Sequence, residues 1–164
     1  MNEILTQVTV PYAYFAMVLN LQPGRHRATY ELMSAVFRLS TIIVMQFKHH
    51  FRIRRPADRS SLIQPVLLTP GHGSYPAGHA TQCHFMAAVL KKLTNATASS
   101  EVADQLDKLA TRIAENRVVA GLHYPEDNDV GELLGKQLAE HFIFRATDAG
   151  SAVEWVWGKA KAEW

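Results

Sequence analysis

The longest unbroken pattern in this sequence is that of an amphipathic helix. From residue 25 to about residue 51, apolar side chains recur every three or four positions, which is the spacing of one helix face. These positions are Leu32, Ala35, Val36, Leu39, Ile43 and Phe47. No part of the sequence alternates apolar and polar residues as a half-buried strand does. The pattern therefore favours an all-α fold.

Shorter helical patterns lie on both sides of this segment. They cover residues 3 to 20, 78 to about 93, 101 to about 122 and 130 to about 147. Pro11 either kinks the first of them or begins a second short helix, whereas Pro56 and Pro125 are expected to end any helix that reaches them. The patterns together predict an all-α helical bundle of four main helices plus an N-terminal helix.

The segments between these helices have different compositions. Residues 56 to 77 are rich in proline and glycine and are expected to form an ordered loop, and loops of this length in a compact domain are often functional. Ser99 or Ser100 is expected to cap the helix that follows residue 100, and Asp127 or Asn128 the last long helix.

The composition narrows the classes of protein to consider. At 164 residues the chain is expected to be a single α-helical domain, residues 1 to 164. The tail of residues 150 to 164 carries three tryptophans, so it is expected to pack on the bundle or on a second subunit. Cys83 is the only cysteine, which excludes an intrachain disulfide, and its apolar neighbours predict a buried helical position.

The N-terminus and the apolar runs predict a cytoplasmic protein with no membrane span. Met1 is followed by Asn2 and Glu3 instead of the basic residues and apolar run of a signal peptide. The longest apolar stretch, Thr41 to Met45, is far too short to cross a bilayer.

Three clusters of polar residues indicate the chemistry. They are Lys48-x6-Arg55-Pro56, then Gly73-Ser74-Tyr75-Pro76-Ala77-Gly78-His79, then Arg117-x5-His123-x3-Asp127. Lys48, Arg55 and Arg117 are expected to be permanent cations, and a glycine at a helix start lets an anion approach free amide groups. This is the set of groups needed to hold a tetrahedral oxyanion such as phosphate or vanadate.

The two histidines are expected to divide the chemical work. If Asp127 binds one ring nitrogen of His123, the other nitrogen is free to attack phosphorus or to coordinate vanadium. His79, in the first turn of another helix, can then donate or remove a proton.

These clusters resemble the three signature motifs of the superfamily that unites vanadium-dependent haloperoxidases, type 2 phosphatidic acid phosphatases and bacterial acid phosphatases. The resemblance spans residues 48 to 127 and implies an α-helical bundle whose motifs face one pocket. It makes Lys48, Arg55, Gly78 and Arg117 the groups that hold the oxyanion, and His79 the acid–base residue. It makes His123 the vanadium ligand or the phosphorylated nucleophile, oriented by Asp127.

The chain departs from the family motifs at two positions. Ala77 stands where serine is usual, and Asn116 where serine is frequent. The loss of a serine hydroxyl removes one hydrogen bond to a charged acceptor, which costs about 1.5 to 3 kcal/mol.

Within the superfamily, the sequence is most similar to the haloperoxidase branch. His72 lies seven residues before His79, where algal bromoperoxidases carry an extra histidine. The implied enzyme is a peroxidase that uses vanadate as cofactor and hydrogen peroxide to oxidise halide, with bromide or iodide preferred over chloride. Family haloperoxidases are longer, so the chain is a minimal member, a fragment or half of a dimeric site, and a homodimer is the expected assembly.

Two alternatives remain open. One is a soluble phosphomonoesterase of the acid phosphatase type, which hydrolyses phosphate monoesters through phosphorylated His123. The other is not an enzyme: the basic segment of residues 48 to 59 would then bind nucleic acid or an anionic membrane. Few aromatic residues are interleaved there and the net charge is only +2, so no nucleic acid partner is expected.

Overall fold

The computed structural model describes residues 2–8, 11–97 and 99–164. Within these ranges the chain forms eight α-helices and no β-strand, which confirms the all-α class. The helices are α1 (Asn2–Thr6), α2 (Tyr12–Leu19), α3 (Arg27–Phe51), α4 (Pro56–Arg59), α5 (Gly78–Leu93), α6 (Glu101–Val119), α7 (Pro125–Arg145) and α8 (Ala152–Lys161). The four long helices predicted from the sequence are α3, α5, α6 and α7.

Two proline positions were predicted wrongly. Pro56 and Pro125 do not end helices: they are the first residues of α4 and α7. Proline suits this position because its fixed φ is helical and its missing N–H would have had no partner there. The residue before each proline is extended, and its backbone N–H donates to an aspartate in the first helical turn.

The observed starts of α4 and α7 also differ from the helix bounds predicted from the sequence. Residues 56 to 59 are helical, although the whole segment of residues 56 to 77 was expected to be a loop. The last long helix begins at residue 125 and not at residue 130. Asp127 does satisfy the amide of Tyr124, but it does so from inside the helix, as its third residue. The cap of α6 is Ser100, whose hydroxyl accepts from the Ala103 N–H, as one of the two predicted alternatives had it.

Helix α6 ends three residues earlier than the apolar pattern indicates, because of a glycine. Gly121 has φ +74°, its N–H donates to the Val118 carbonyl, and the Leu122 N–H donates to the Arg117 carbonyl. This pair of bonds is a Schellman motif, which stops a helix at a left-handed residue. The chain leaves α6 here and reaches His123 two residues later.

Helix α5 is the centre of the domain, since α3, α6, α7 and α8 all pack on it. Its closest partner is α7, where two glycines allow the backbones to touch. A Cβ added to Gly131 would lie 2.8 Å from the Ala77 carbonyl oxygen, and one added to Gly135 would lie 2.6 Å from the Thr81 carbonyl oxygen. This packing joins the starts of α5 and α7, where the Ala77 N–H donates to the Asp127 carbonyl over 2.9 Å.

The tryptophan-bearing tail packs on the bundle, which was one of the two predicted arrangements. Helix α8 lies against α3. The Glu163 carboxylate accepts from the Ala28 and Thr29 N–H groups at the start of α3, at 2.7 and 2.9 Å, and the Trp164 indole N–H donates to the Thr29 hydroxyl. Trp155 stays 62% exposed. Cys83 is fully buried in α5, as predicted.

One described stretch, Arg27–Arg59, is long and apolar enough to cross a membrane, and 33% of its most apolar window is buried within the protein. The core helix of a soluble protein passes the same test. The absence of a membrane span and the cytoplasmic location therefore stay predictions.

Candidate functional site

A cavity of about 440 Å³ opens where the ends of α3, α5 and α6 meet. The residues that the sequence assigned to oxyanion binding or acid–base chemistry line its wall. These are Lys48, Arg55, His72, Gly78, His79, Arg117 and His123. Asp127, which was expected to orient His123, lies behind it and is buried. The expectation that the three motifs face one pocket is thus met, whereas the roles of the residues stay predictions.

Several of these residues lie at the end of a helix. Lys48 is in the last turn of α3, Gly78 and His79 begin α5, and Arg117 is in the last turn of α6. Arg55 directly precedes α4. The Schellman turn after α6 then brings His123 back beside these groups. Arg117 and His123, only six residues apart in the sequence, therefore both line the cavity.

His123 is held by a buried carboxylate. Its Nδ1 lies 3.0 Å from Asp127 Oδ2, and Asp127 also accepts from the Tyr124 backbone N–H. This geometry assigns the proton of His123 to Nδ1, and within the described residues Nε2 has no hydrogen-bond partner. Burial lowers the pKa of His123 to about 4, so that its imidazole is neutral at pH 7 and Nε2 carries a free lone pair.

Ser74 is a member of this arrangement that the sequence reasoning did not assign to the site. Its hydroxyl donates to Asp127 Oδ2 and lies 3.2 Å from His123 Nδ1, and the residue is fully buried. Together with the imidazole and the Tyr124 amide it lowers the pKa of Asp127, because each hydrogen bond favours the charged carboxylate. Its place in the run that ends at His79 was the only sequence signal.

The surroundings of Lys48 contradict the expectation that its side chain is permanently charged. Its ammonium group is buried and donates to the carbonyls of Gly73 and Ser74, at 3.0 and 2.6 Å. Burial, followed by repulsion from Arg55, lowers the pKa of Lys48 to about 7. Lys48 is therefore not a permanent cation, because close to neutral pH it exists partly as the uncharged amine.

The Arg55 side chain connects two loops at the cavity by hydrogen bonds to both. Its Nε donates to the His72 carbonyl over 3.1 Å, and Nη1 donates to the Leu122 carbonyl over 2.8 Å. Its Nη2 lies 3.2 Å from His72 Nδ1, which places His72 against the guanidinium group. An arginine has more N–H groups than these bonds use, so at least one donor of Nη1 is left for a ligand.

Arg117 is the cation with the most donors to spare. Its Nη2 donates to the Ile4 carbonyl over 3.0 Å and to Gln7 Oε1 over 3.3 Å. Its Nε is buried and has no partner among the described residues. A buried N–H without an acceptor is costly, and an oxyanion in the cavity that Arg117 lines would supply one.

His79 contacts the N-terminal segment. Its Nε2 lies 3.0 Å from the Gln7 carbonyl oxygen, which assigns the ring proton to Nε2 and leaves Nδ1 as the acceptor. Burial, and then the positive charge of Arg117, lowers the pKa of His79 to about 4. A bound dianion would oppose the second of these effects and make His79 easier to protonate.

The two departures from the family motifs have different surroundings. The Asn116 amide donates to Glu3 and Gln7, both over 2.9 Å, so it fixes α1 beside the cavity and does not depend on a ligand. Ala77 is fully buried, and its backbone N–H donates to the Asp127 carbonyl.

Gln7 contacts Asn116, Arg117 and His79. It was not identified from the sequence, because no motif lies near it in the sequence.

The charge of the cavity favours an anion. Three buried cationic side chains line or adjoin it, and Asp127 is the buried carboxylate that faces them within the described residues. Gly78 adds a steric argument: a Cβ there would meet only Val44 Cγ1, at an ordinary 3.7 Å. The packing of the protein therefore does not require a glycine at this position, whereas a ligand close to the start of α5 would.

No protein-family model matches this chain, and no curated protein matches it. The superfamily suggested by the three motifs therefore stays a prediction.

Proposed function

We propose that this protein is an enzyme that binds a tetrahedral oxyanion in the cavity and hydrolyses phosphate monoesters through His123. The observation that carries the proposal is the buried His123–Asp127 pair, whose free Nε2 shares the cavity with Lys48, Arg55 and Arg117. Hydrolysis needs only water and groups that this chain itself supplies.

The first half of the proposed reaction transfers the phosphoryl group to the protein. The cations bind the non-bridging oxygens of the ester, where charge builds up during transfer. His123 Nε2 attacks phosphorus, and the bond from phosphorus to the ester oxygen breaks. The proton on Nδ1 remains hydrogen-bonded to Asp127, which stabilises the positive charge of the phosphorylated imidazole. The leaving oxygen takes a proton from His79, which the bound dianion has helped to protonate.

The second half returns the enzyme to its starting state. Water gives a proton to His79 and attacks phosphorus, the bond between phosphorus and Nε2 breaks, and inorganic phosphate leaves. His123 regains its lone pair and His79 its proton, so that the net reaction consumes one water and yields the alcohol and phosphate.

A vanadate-dependent haloperoxidase is the second candidate, and His72 favours it. Its Nδ1 contacts Arg55 at the cavity wall, in the position where the resemblance places an extra histidine. The residues present fit vanadate, since Nε2 of His123 is a free ligand atom and Nε of Arg117 lacks an acceptor. Bound vanadate would supply the activation of hydrogen peroxide toward bromide or iodide, while Lys48, Arg55, Gly78 and Arg117 would hold its oxygens.

One pair of assays separates the two candidates. The protein free of vanadate is tested on p-nitrophenyl phosphate, and the protein incubated with orthovanadate is tested for bromination that depends on peroxide. We expect phosphate release by the first, inhibition of that release by vanadate, and a phosphohistidine trapped by acid-free quenching. Bromination without phosphate release would instead establish the second candidate.

Three variants locate the activity. We expect His123→Ala to abolish turnover and the trapped phosphohistidine, and His141→Ala, on the exposed side of α7, to change neither. We expect Gly78→Ala to weaken phosphate binding with little loss of stability, because its Cβ makes only an ordinary contact with Val44. Full activity in His123→Ala would contradict the proposal.

A further inference from the structure

A second cavity of about 590 Å³ adjoins the candidate site. The two share four wall residues, namely Met45, Lys48, Pro70 and His72. A molecule whose phosphate lies among the cations of the first cavity can therefore extend past Lys48 into the second one.

The second cavity is basic. Arg52 and Arg54 line it beside Lys48, and Asp58 is its acidic residue. The Oδ2 of Asp58 accepts a hydrogen bond from the Arg55 backbone N–H. In the described parts of the chain, neither Arg52 nor Arg54 forms a salt bridge.

The backbone holds these two arginines at the rim. Arg52 is the C-cap residue that follows α3, with φ 51°, in the left-handed region that non-glycine residues seldom adopt, and its Nε donates to the His49 carbonyl over 3.1 Å. Arg54 follows two residues later, next to Arg55, whose own side chain turns to the floor of the first cavity. Arg54 thus lines the second cavity, and Arg55, the next residue, lines the first.

We infer that the second cavity binds an anionic group on the alcohol part of the substrate. This inference rests on the proposed function and names its substrate class: small phosphate monoesters whose leaving group carries a second phosphate or a carboxylate. Arg52 and Arg54 present planar guanidinium groups, which suit either anion.

A matched pair of substrates tests this inference. 3-Phosphoglycerate and glycerol 3-phosphate have the same phosphate and the same carbon chain, but the first ends in a carboxylate where the second ends in a hydroxymethyl group. We expect kcat/KM to be about 5- to 10-fold higher for 3-phosphoglycerate, mainly through KM, because one charge-assisted contact is gained. The preference should shrink as salt concentration rises.

Two variants separate this cavity from general charge effects. In the double variant Arg52→Gln and Arg54→Gln, the ratio of the two kcat/KM values is expected to fall toward one. Arg59→Gln removes an exposed charge from the same basic segment, but Arg59 lines neither cavity. It is expected to keep the ratio of the unaltered protein.

The outcomes distinguish the inference from the proposed function. Hydrolysis of both substrates with equal kcat/KM would overturn the inference and leave the function standing. If neither is hydrolysed, titration calorimetry of the same two compounds decides: tighter binding of 3-phosphoglycerate that depends on Arg52 and Arg54 supports the second cavity without the hydrolase. Equal binding, or no binding, would overturn the inference as well.

Discussion

The polar residues around the cavity each have a structural partner as well as a free donor or lone pair. Lys48 binds two loop carbonyls, Arg55 binds two more, and His123 binds Asp127. These bonds fix the groups before any ligand arrives, so binding costs little side-chain ordering. The same bonds lower the number of donors available to an oxyanion, and Arg117 retains the most.

The sequence identified these side chains because their residue types and spacing carry the chemistry. It did not identify Ser74 or Gln7, because a buried serine in a loop and an amide just after a short helix have no distinctive spacing. It also misjudged Lys48, since the charge of a lysine depends on its burial and on Arg55, and neither is visible before the chain is folded.

The two cavity histidines should make the protein sensitive to acid. Burial lowers the pKa of His79 and that of His123 from 6.5 to about 4. As pH falls from about 6.5 to about 4, the unfolded chain takes up these protons and the folded chain does not, so the free energy of unfolding falls. The full stability is present above about pH 6.5, and His123 alone accounts for a loss on the order of 3 kcal/mol near pH 4.

Urea unfolding at a series of pH values measures this loss. We expect His123→Gln to flatten the decline between about pH 6.5 and 4, and His141→Gln, which replaces an exposed histidine, to leave it unchanged. A free energy of unfolding that stays constant over this interval would show that these imidazoles are not buried in their neutral form.

At the scale of the helices, the sequence predicted the long elements well and their ends less well. Helix α3 and helix α5 were predicted within two residues of their observed bounds, because their apolar faces pack on the core. The C-terminal end of α6 and the start of α7 were misplaced because a glycine turn and a proline at the first helical position decide them locally. These same local features position His123 and Asp127.

The contact of α5 with α7 should be intolerant of a single methyl group. A Cβ at Gly135 would lie 2.6 Å from the Thr81 carbonyl oxygen and 3.0 Å from the Phe85 nitrogen, both of which belong to the backbone. We expect Gly135→Ala to lower the free energy of unfolding by about 2 to 4 kcal/mol, because the two helices must move apart.

Gly158→Ala is the matched control for this prediction. Gly158 lies in helix α8, and a Cβ there would meet nothing within 4 Å. We expect this change to be neutral or to stabilise the protein by up to about 1 kcal/mol, because alanine favours the helix. Chemical unfolding of both variants gives the comparison, and equal stabilities would contradict the close packing of α5 on α7.

At the scale of the whole molecule, the bundle brings together helix ends that are far apart in the sequence. The sequence predicted this convergence through the three motifs, but it could not predict the second cavity, which depends on how the loop before α5 folds over the end of α3. The assembly also stays a prediction: several large apolar side chains on α3, among them Ile42 and Phe51, are exposed, and a homodimer is the expected arrangement.

Titration calorimetry with inorganic phosphate measures whether the cavity binds a tetrahedral oxyanion. At about pH 8, in buffers of different ionisation enthalpy, we predict one saturable site from which orthovanadate displaces phosphate. We also predict proton uptake on binding: Lys48, with its pKa lowered to about 7, is largely uncharged beforehand and becomes charged beside the anion. In Lys48→Met the proton uptake should fall. A protein that binds neither phosphate nor vanadate would contradict the account.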